Sequence, residues 1–138
     1  MKLFTIEEAN RALPLVRRIV ADLRDDYQAW RELMARYEII AAGTRAYLGE
    51  DQHEVALRHE LAERAARLDG LLEELKAVGC ELKDFELGLV DFYALLDDRL
   101  VFLCWRLGEP RVEYWHEVDA GIAGRQPVDE TLFPGIYP

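Results

Sequence analysis

The stretch "GLVDFYALLDDRLVFLCWRL" (residues 88–107) decides the fold, because its apolar residues alternate with a period of two on either side of a short polar break. One face of the first half carries Val90, Phe92 and Ala94, and the other carries Asp91, Tyr93 and Leu95. The aspartates at 97 and 98 separate the two apolar runs and are typical of a turn. The pattern therefore predicts a β-hairpin.

The turn fixes which residues lie opposite one another in this hairpin. If residues 96–99 form the turn, Asp91 pairs with Cys104, and Tyr93 pairs with Phe102 on the same face. The pairing places an acidic side chain beside a thiol.

A second turn, "GEP" at 108–110, leads into a third strand, "RVEYWHE" at 111–117. A five-residue loop would place Tyr114 opposite Cys104 and His116 on the face that carries Asp91. A slip of one residue would replace Tyr114 and His116 by their neighbours in the sequence. The segment "CELKD" (80–84) is a candidate fourth strand at the edge, and the irregular tail from Gly121 is expected to lie over the sheet or against a neighbour.

Upstream of the sheet, the apolar residues recur with the spacing of a helix. Thr5 and Glu8 have the spacing of a capping box, and Pro14 is expected either to kink the first helix or to start a second one. A heptad seam then runs through Leu13, Val16, Val20, Leu23, Tyr27, Trp30, Met34, Tyr37 and Ala41. It resumes through Leu61, Ala65, Leu68, Leu72 and Leu75, after a break that contains Gly43 and Gly49.

These patterns predict an α+β fold. A long, coiled-coil-like antiparallel helical hairpin (1–79) precedes a small three- or four-stranded antiparallel sheet with an irregular C-terminal tail (80–138), and residues 1–138 form a single domain. The length of 138 residues suits one domain.

The composition of the chain disfavours several classes of function. The formal charge of −10 disfavours binding to nucleic acid or to anionic lipid surfaces. The sequence shows neither a leader-like apolar segment nor a membrane-spanning stretch, so a cytoplasmic location with two reduced cysteines is expected. The chain has no serine, which excludes a serine nucleophile.

The sheet gathers the residues that could form a site. Cys104 and His116, together with Asp84, Asp91, Glu117 or Asp119, offer sulfur, nitrogen and oxygen ligands for a divalent transition metal such as zinc or iron. The alternative is that Cys104 and His116 are packed residues of an ordinary sheet face, where cysteine behaves as a small hydrophobe. A third reading makes Cys104 a nucleophile with His116 as its base.

The tail segment "DAGIAGRQP" (119–127) suggests a second kind of site. Its glycines can expose backbone amides, and Arg125 offers a planar fork for a small anionic ligand. The competing interpretation is that Arg125 pairs with Asp91 or Asp119 and pins the tail. The acidic side chains of Asp84, Glu86 and Asp91 are candidates for acid–base chemistry, although solvated acids on a loop explain them as well.

Three segments resemble a bacterial family catalogued as domain of unknown function 2203: "FTIEEANRALPLV", "GCELKDFELGLVDF" and "CWRLGEPRVEYWHEVDAGIAGRQP". The resemblance covers nearly the whole chain and implies no reaction, since the family has none assigned. The resemblance implies that the family motif falls on the following positions of this chain: Asp84, Gly88, Asp91, Cys104, Trp105, Trp115, His116, Asp119, Gly121, Gly124 and Arg125. Family members often have proline after "VDF", where this chain has Tyr93. The chain therefore departs from the family pattern at the end of the first strand.

Two functions from different classes follow, and the sequence leaves open whether the protein is an enzyme. The first is a homodimeric interaction module. A two-helix hairpin buries one stripe of side chains per helix, so bulky seam residues such as Trp30 would stay partly exposed unless a second chain packs against them. The second is a metal- or small-anion-binding site, catalytic or not, around Asp91, Cys104, His116, Asp119 and Arg125.

Overall fold

The computed structural model describes residues 1–44 and 51–129. Two helices, α1 (Ile6–Thr44) and α2 (Gln52–Val78), precede five strands. The strands are β1 (Cys80–Asp84), β2 (Leu89–Leu96), β3 (Arg99–Arg106), β4 (Tyr114–Glu117) and β5 (Gln126–Pro127), with a 3-10 helix at Ile122–Gly124 before the last. They form one antiparallel sheet in sequence order. The predicted α+β fold is confirmed, and the candidate edge strand at 80–84 is present.

The fifth strand was not predicted. It has only two residues, one of them a proline, so it shows no alternation that a sequence pattern could reveal. It pairs with β4 through Tyr114↔Pro127 and Trp115↔Gln126, which brings part of the tail onto the sheet.

Helix α1 begins with the predicted capping box. The Glu8 amide donates to Thr5 Oγ1 at 3.0 Å, and the Thr5 amide donates to Glu8 Oε1 at 3.1 Å. Pro14 neither ends this helix nor starts another, because α1 runs unbroken through it with the proline ring on the exposed side.

Helix α2 is capped at both ends. Asp51 Oδ1 accepts from the His53 amide at 2.8 Å, and Gly79 ends the helix in a left-handed conformation with φ 112°. The predicted break at Gly43–Gly49 falls largely on residues 45–50, outside the described part of the chain. In the described ranges, no helix is long and apolar enough to cross a membrane.

The helices cover one face of the sheet, and the main core lies between the helices and this face. Val90, Phe92 and Ala94 of β2 are fully buried there with Leu103 and Trp105 of β3. The first half of the predicted seam, Leu13, Val16, Val20 and Leu23, belongs to this core. Part of the heptad pattern therefore serves helix–sheet packing.

A close approach between α1 and the sheet occurs at Gly88. Its φ is 63°, and a Cβ placed there would lie 2.7 Å from Leu107 Cβ and 3.0 Å from Val20 Cγ1. A side chain at this position would force the helix and the loop after β3 away from β2.

The turn between β2 and β3 has two residues, Asp97 and Asp98, with φ of 49° and 63°. Two successive left-handed residues are typical of a type I′ turn, whose twist matches that of the flanking strands. It fixes the predicted pairs Asp91↔Cys104 and Tyr93↔Phe102.

The second hairpin has the register expected for a five-residue loop, although seven residues, 107–113, separate β3 from β4. Cys104 pairs with Tyr114, and Phe102 pairs with His116. The register predicted for the first hairpin is confirmed, and the second hairpin takes one of the two registers that the sequence left open, so Asp91, Cys104 and His116 share the face of the sheet that points away from the helices.

We expect Leu23→Ala and Leu68→Ala each to lower the free energy of unfolding by about 2–5 kcal/mol, the range for truncating a buried leucine. Leu23 is fully buried and Leu68 nearly so, both in the main core. Urea unfolding measures the change. Ile39→Ala is the control, because Ile39 is 75% exposed and its loss should change stability little. Losses below about 0.5 kcal/mol at both leucines would show that the seam is not core.

Candidate metal centre

Three ligating side chains meet on the outer face of the sheet. Asp91 of β2, Cys104 of β3 and His116 of β4 bring a carboxylate oxygen, the thiol sulfur and a ring nitrogen within 4.8 Å of one another. They are 2%, 0% and 2% exposed. A buried cluster of three such groups differs from the exposed acidic groups that are common on protein surfaces.

The hydrogen bonds of His116 determine how its ring faces the cluster. Nδ1 lies 2.7 Å from the Glu117 carbonyl oxygen, which can only accept, so Nδ1 carries a proton. Nε2 lies 3.0 Å from Asp91 Oδ1. In the neutral ring, Nε2 presents a lone pair to a carboxylate oxygen, and two acceptors at this distance require a proton or a cation between them.

Burial governs the protonation of the other two groups. It raises the pKa of the Asp91 carboxyl, against the opposing hydrogen bond and charge of His116. It also raises the pKa of the Cys104 thiol to about 12, and the negative charge of Asp91 adds to this rise. Without a metal, the thiol is protonated at neutral pH.

The same observations argue against Cys104 as a nucleophile. The thiolate is the reactive species, and reactive cysteines are partly exposed with a lowered pKa. Cys104 is fully buried, and its pKa is shifted in the opposite direction. A divalent cation changes this balance, because metal coordination deprotonates a thiol.

Aromatic rings and a lysine lie beside the cluster. The rings of Phe102 and His116 lie 5.4 Å apart, and the rings of Tyr93 and Phe102 lie 4.8 Å apart. The ammonium of Lys83 stands 4.8 Å from the centre of the Phe102 ring and also pairs with Glu81 at 3.0 Å. The apolar ring of Phe102 strengthens electrostatic interactions nearby by excluding water.

Arg125 pairs with neither Asp91 nor Asp119, so the predicted partners of this residue are wrong. Its Nη2 donates to both carboxylate oxygens of Glu109, at 2.7 and 2.9 Å. The guanidinium also lies over the ring of Tyr114, at 4.1 Å from the ring centre, and contacts the Cys104 carbonyl oxygen at 3.4 Å. Arg125 does pin the tail, and it does so beside the cluster.

The other predicted site residues lie elsewhere. Asp84 Oδ1 accepts from the Leu87 amide at 2.8 Å and shapes the turn before β2, while Asp119 is exposed. Glu86 is exposed and pairs with Arg31. Among the described residues, none of these three acids joins the cluster of Asp91, Cys104 and His116.

Tyr93, which replaces the proline expected from the family resemblance, leaves β2 intact. The strand continues to Leu96, and Tyr93 pairs with Phe102 in the ladder. Its hydroxyl donates to Glu81 Oε1 at 2.7 Å, so Tyr93 ties the edge strand to β2.

Two neighbours of the cluster were missed in the sequence. Lys83, whose charge acts on Asp91, could have been found by extending the register, because Glu81 pairs with Asp91 and places alternate β1 residues on the outer face. Glu109 could not have been found in this way, since it lies in the irregular loop after β3.

Comparison with known proteins gives one match. The profile of a family described as "Uncharacterized conserved protein (DUF2203)" matches residues 2–128. No curated protein and no solved structure matches the chain significantly. Because the matched segment spans nearly the whole chain and contains the entire cluster, the chain belongs to the uncharacterised family DUF2203.

Proposed function

We propose that this protein binds a divalent transition metal through Asp91, Cys104 and His116. The observation that carries the proposal is the convergence of three buried ligand atoms within 4.8 Å, with His116 Nε2 at 3.0 Å from Asp91 Oδ1. The bond from Nδ1 to the Glu117 carbonyl is the kind of outer contact that orients metal-binding histidines.

The charges of the ligands match a divalent cation. A thiolate and a carboxylate carry two negative charges, which the metal neutralises, so the buried cluster becomes neutral when it is loaded. Mixed sulfur, nitrogen and oxygen ligands suit zinc, and also iron or cobalt. Cys104 must remain a free thiol, as it is here, which is consistent with the reducing cytoplasm that we propose as the location.

We also propose that the hairpin forms a homodimer. Among the described residues, its distal part has a separate small core with three buried members, Leu33, Leu57 and Leu61. Trp30, Met34 and Tyr37 pack against this core and are only half-buried, and Ile39 is 75% exposed. A second hairpin that completes a four-helix bundle would cover these side chains, as the coiled-coil-like seam requires.

The metal proposal predicts that purified protein, expressed without a metal-binding tag, contains or takes up one transition metal per chain. Cobalt-loaded protein should show a thiolate-to-metal absorption band. Cys104→Ser should abolish this band, while the matched control Cys80→Ser should retain it, because Cys80 is equally buried and lies outside the cluster. Absence of cobalt binding by the wild type would refute the proposal.

The Asp91→Asn variant distinguishes two roles of the Asp91 carboxylate, that of a metal ligand and that of a structural hydrogen-bond partner of His116. An asparagine amide can donate to His116 Nε2, so the stability of the metal-free protein should change by no more than about 1 kcal/mol. Asparagine lacks the negative charge, so metal affinity should fall at least tenfold. If Asp91→Asn binds cobalt as tightly as the wild type, the carboxylate is not a ligand.

Metal affinity should rise with pH. Because the Cys104 thiol has a pKa of about 12, binding at neutral pH displaces its proton, and also the proton shared by His116 and Asp91 wherever that proton is present. Release of one proton makes the apparent association constant rise about tenfold per pH unit. Competition with a chelator at pH 7, 8 and 9 measures this slope, and a constant affinity would contradict thiolate coordination.

The dimer proposal predicts about twice the chain mass of 16.0 kDa by light scattering at micromolar concentration. Ile39→Glu should shift the equilibrium towards monomer, because it places a charge on the proposed interface. Leu15→Glu is the control, since Leu15 is also exposed on α1 but lies far from the distal core. A wild-type monomer at these concentrations would rule the dimer out.

A further inference from the structure

We infer that the metal held by Asp91, Cys104 and His116 takes a small monocarboxylate as an exchangeable fourth ligand, and that the guanidinium of Arg125 binds this carboxylate. The inference rests on the metal-binding proposal above. Three protein ligands leave one position of a tetrahedral metal open, as in catalytic zinc sites. Among the described residues, no fourth ligating side chain joins the cluster.

Arg125 has an unused donor at this place. Its side chain is 15% exposed, and Nη2 is occupied by Glu109 and by the Cys104 carbonyl oxygen. Nε is buried and has no hydrogen-bond partner within residues 1–44 and 51–129. A buried donor without an acceptor costs about 1–3 kcal/mol, so a missing acceptor is the simplest explanation.

The sheet places the Arg125 guanidinium beside a residue of the cluster. Arg125 lies over Tyr114, which pairs with Cys104 across the ladder and precedes His116 by two residues on the same strand face. The contact with the Cys104 carbonyl oxygen, at 3.4 Å, holds the guanidinium next to a ligand residue. A carboxylate can bind the metal through one oxygen and accept from Arg125 through the other.

Charge and space limit the ligand to a small monoanion. The loaded cluster is neutral, Glu109 balances Arg125, and Glu81 balances Lys83. Because both nearby cations are already paired, one extra negative charge at the metal is less unfavourable to bury than the two charges of a phosphate dianion. Cys104 is fully buried and Phe102 is 5% exposed, so a ligand with a long chain would have to displace packed side chains.

The test uses the full-length protein loaded with Co²⁺ and titrated with sodium acetate at constant ionic strength. The visible absorption bands of the metal should change saturably with acetate and remain unchanged with sodium chloride. Phosphate should be at least tenfold weaker than acetate. Arg125→Lys should weaken the acetate response at least tenfold, because lysine keeps the charge beside Glu109 and lacks the Nε donor.

The control is Arg106→Lys, which changes an exposed arginine on the same strand face as Cys104 and should respond like the wild type. Cobalt binding without any spectral response of the wild type to acetate would overturn the carboxylate inference and leave the metal site standing. An unchanged response in Arg125→Lys, or a preference for phosphate, would overturn it as well. Failure to bind cobalt would refute both proposals together. The comparison of acetate with phosphate uses only the wild type, so it tests the carboxylate inference even if Arg125→Lys does not fold.

Discussion

The register of the central hairpin is the constraint on which the rest of the structure depends. Two left-handed residues, Asp97 and Asp98, close the turn with no spare residue, so every pair in β2 and β3 is fixed. A shift of one residue would turn Val90, Phe92 and Ala94 away from the helices and place Asp91 in the apolar core. The same register carries β4, and with it His116, to its position beside Asp91.

This register gives the sheet two different faces. The face under the helices is apolar and closely packed, and Gly88 allows α1 to approach it at Val20. The opposite face buries an acid, a thiol and an imidazole, and burial of such groups is unfavourable unless each one is satisfied. Their positions on three neighbouring strands allow them to satisfy one another, but only with a proton or a cation between His116 and Asp91.

The proposed metal site and the proposed dimer depend on different parts of the chain. The first half of α1 is part of the main core, which holds the sheet and the helices together. Among the described residues, the second half of α1 packs against the main core through Tyr27 and Trp30, and otherwise against α2 and the small core around Leu33. The exposed Ile39 of the proposed interface lies on α1, whereas the proposed metal ligands lie on β2, β3 and β4.

The sequence by itself determined the elements and their local chemistry. The capping box at Thr5, the α+β order, the turn at Asp97–Asp98 and the pairing of Asp91 with Cys104 all follow from spacing, because local hydrogen bonds and the period of two depend only on near neighbours. It also grouped His116 with these residues, under one of two possible loop lengths.

Only the tertiary structure decided which candidates meet. Asp84 and Asp119 had the same chemistry as Asp91, but a turn and an exposed loop keep them apart from the cluster. The partner of Arg125 proved to be Glu109, which lies in an irregular loop where no periodicity constrains the side chain. Burial, which raises the pKa of Cys104 and encloses the contact between His116 Nε2 and Asp91, is a property of the packed chain and not of any local segment.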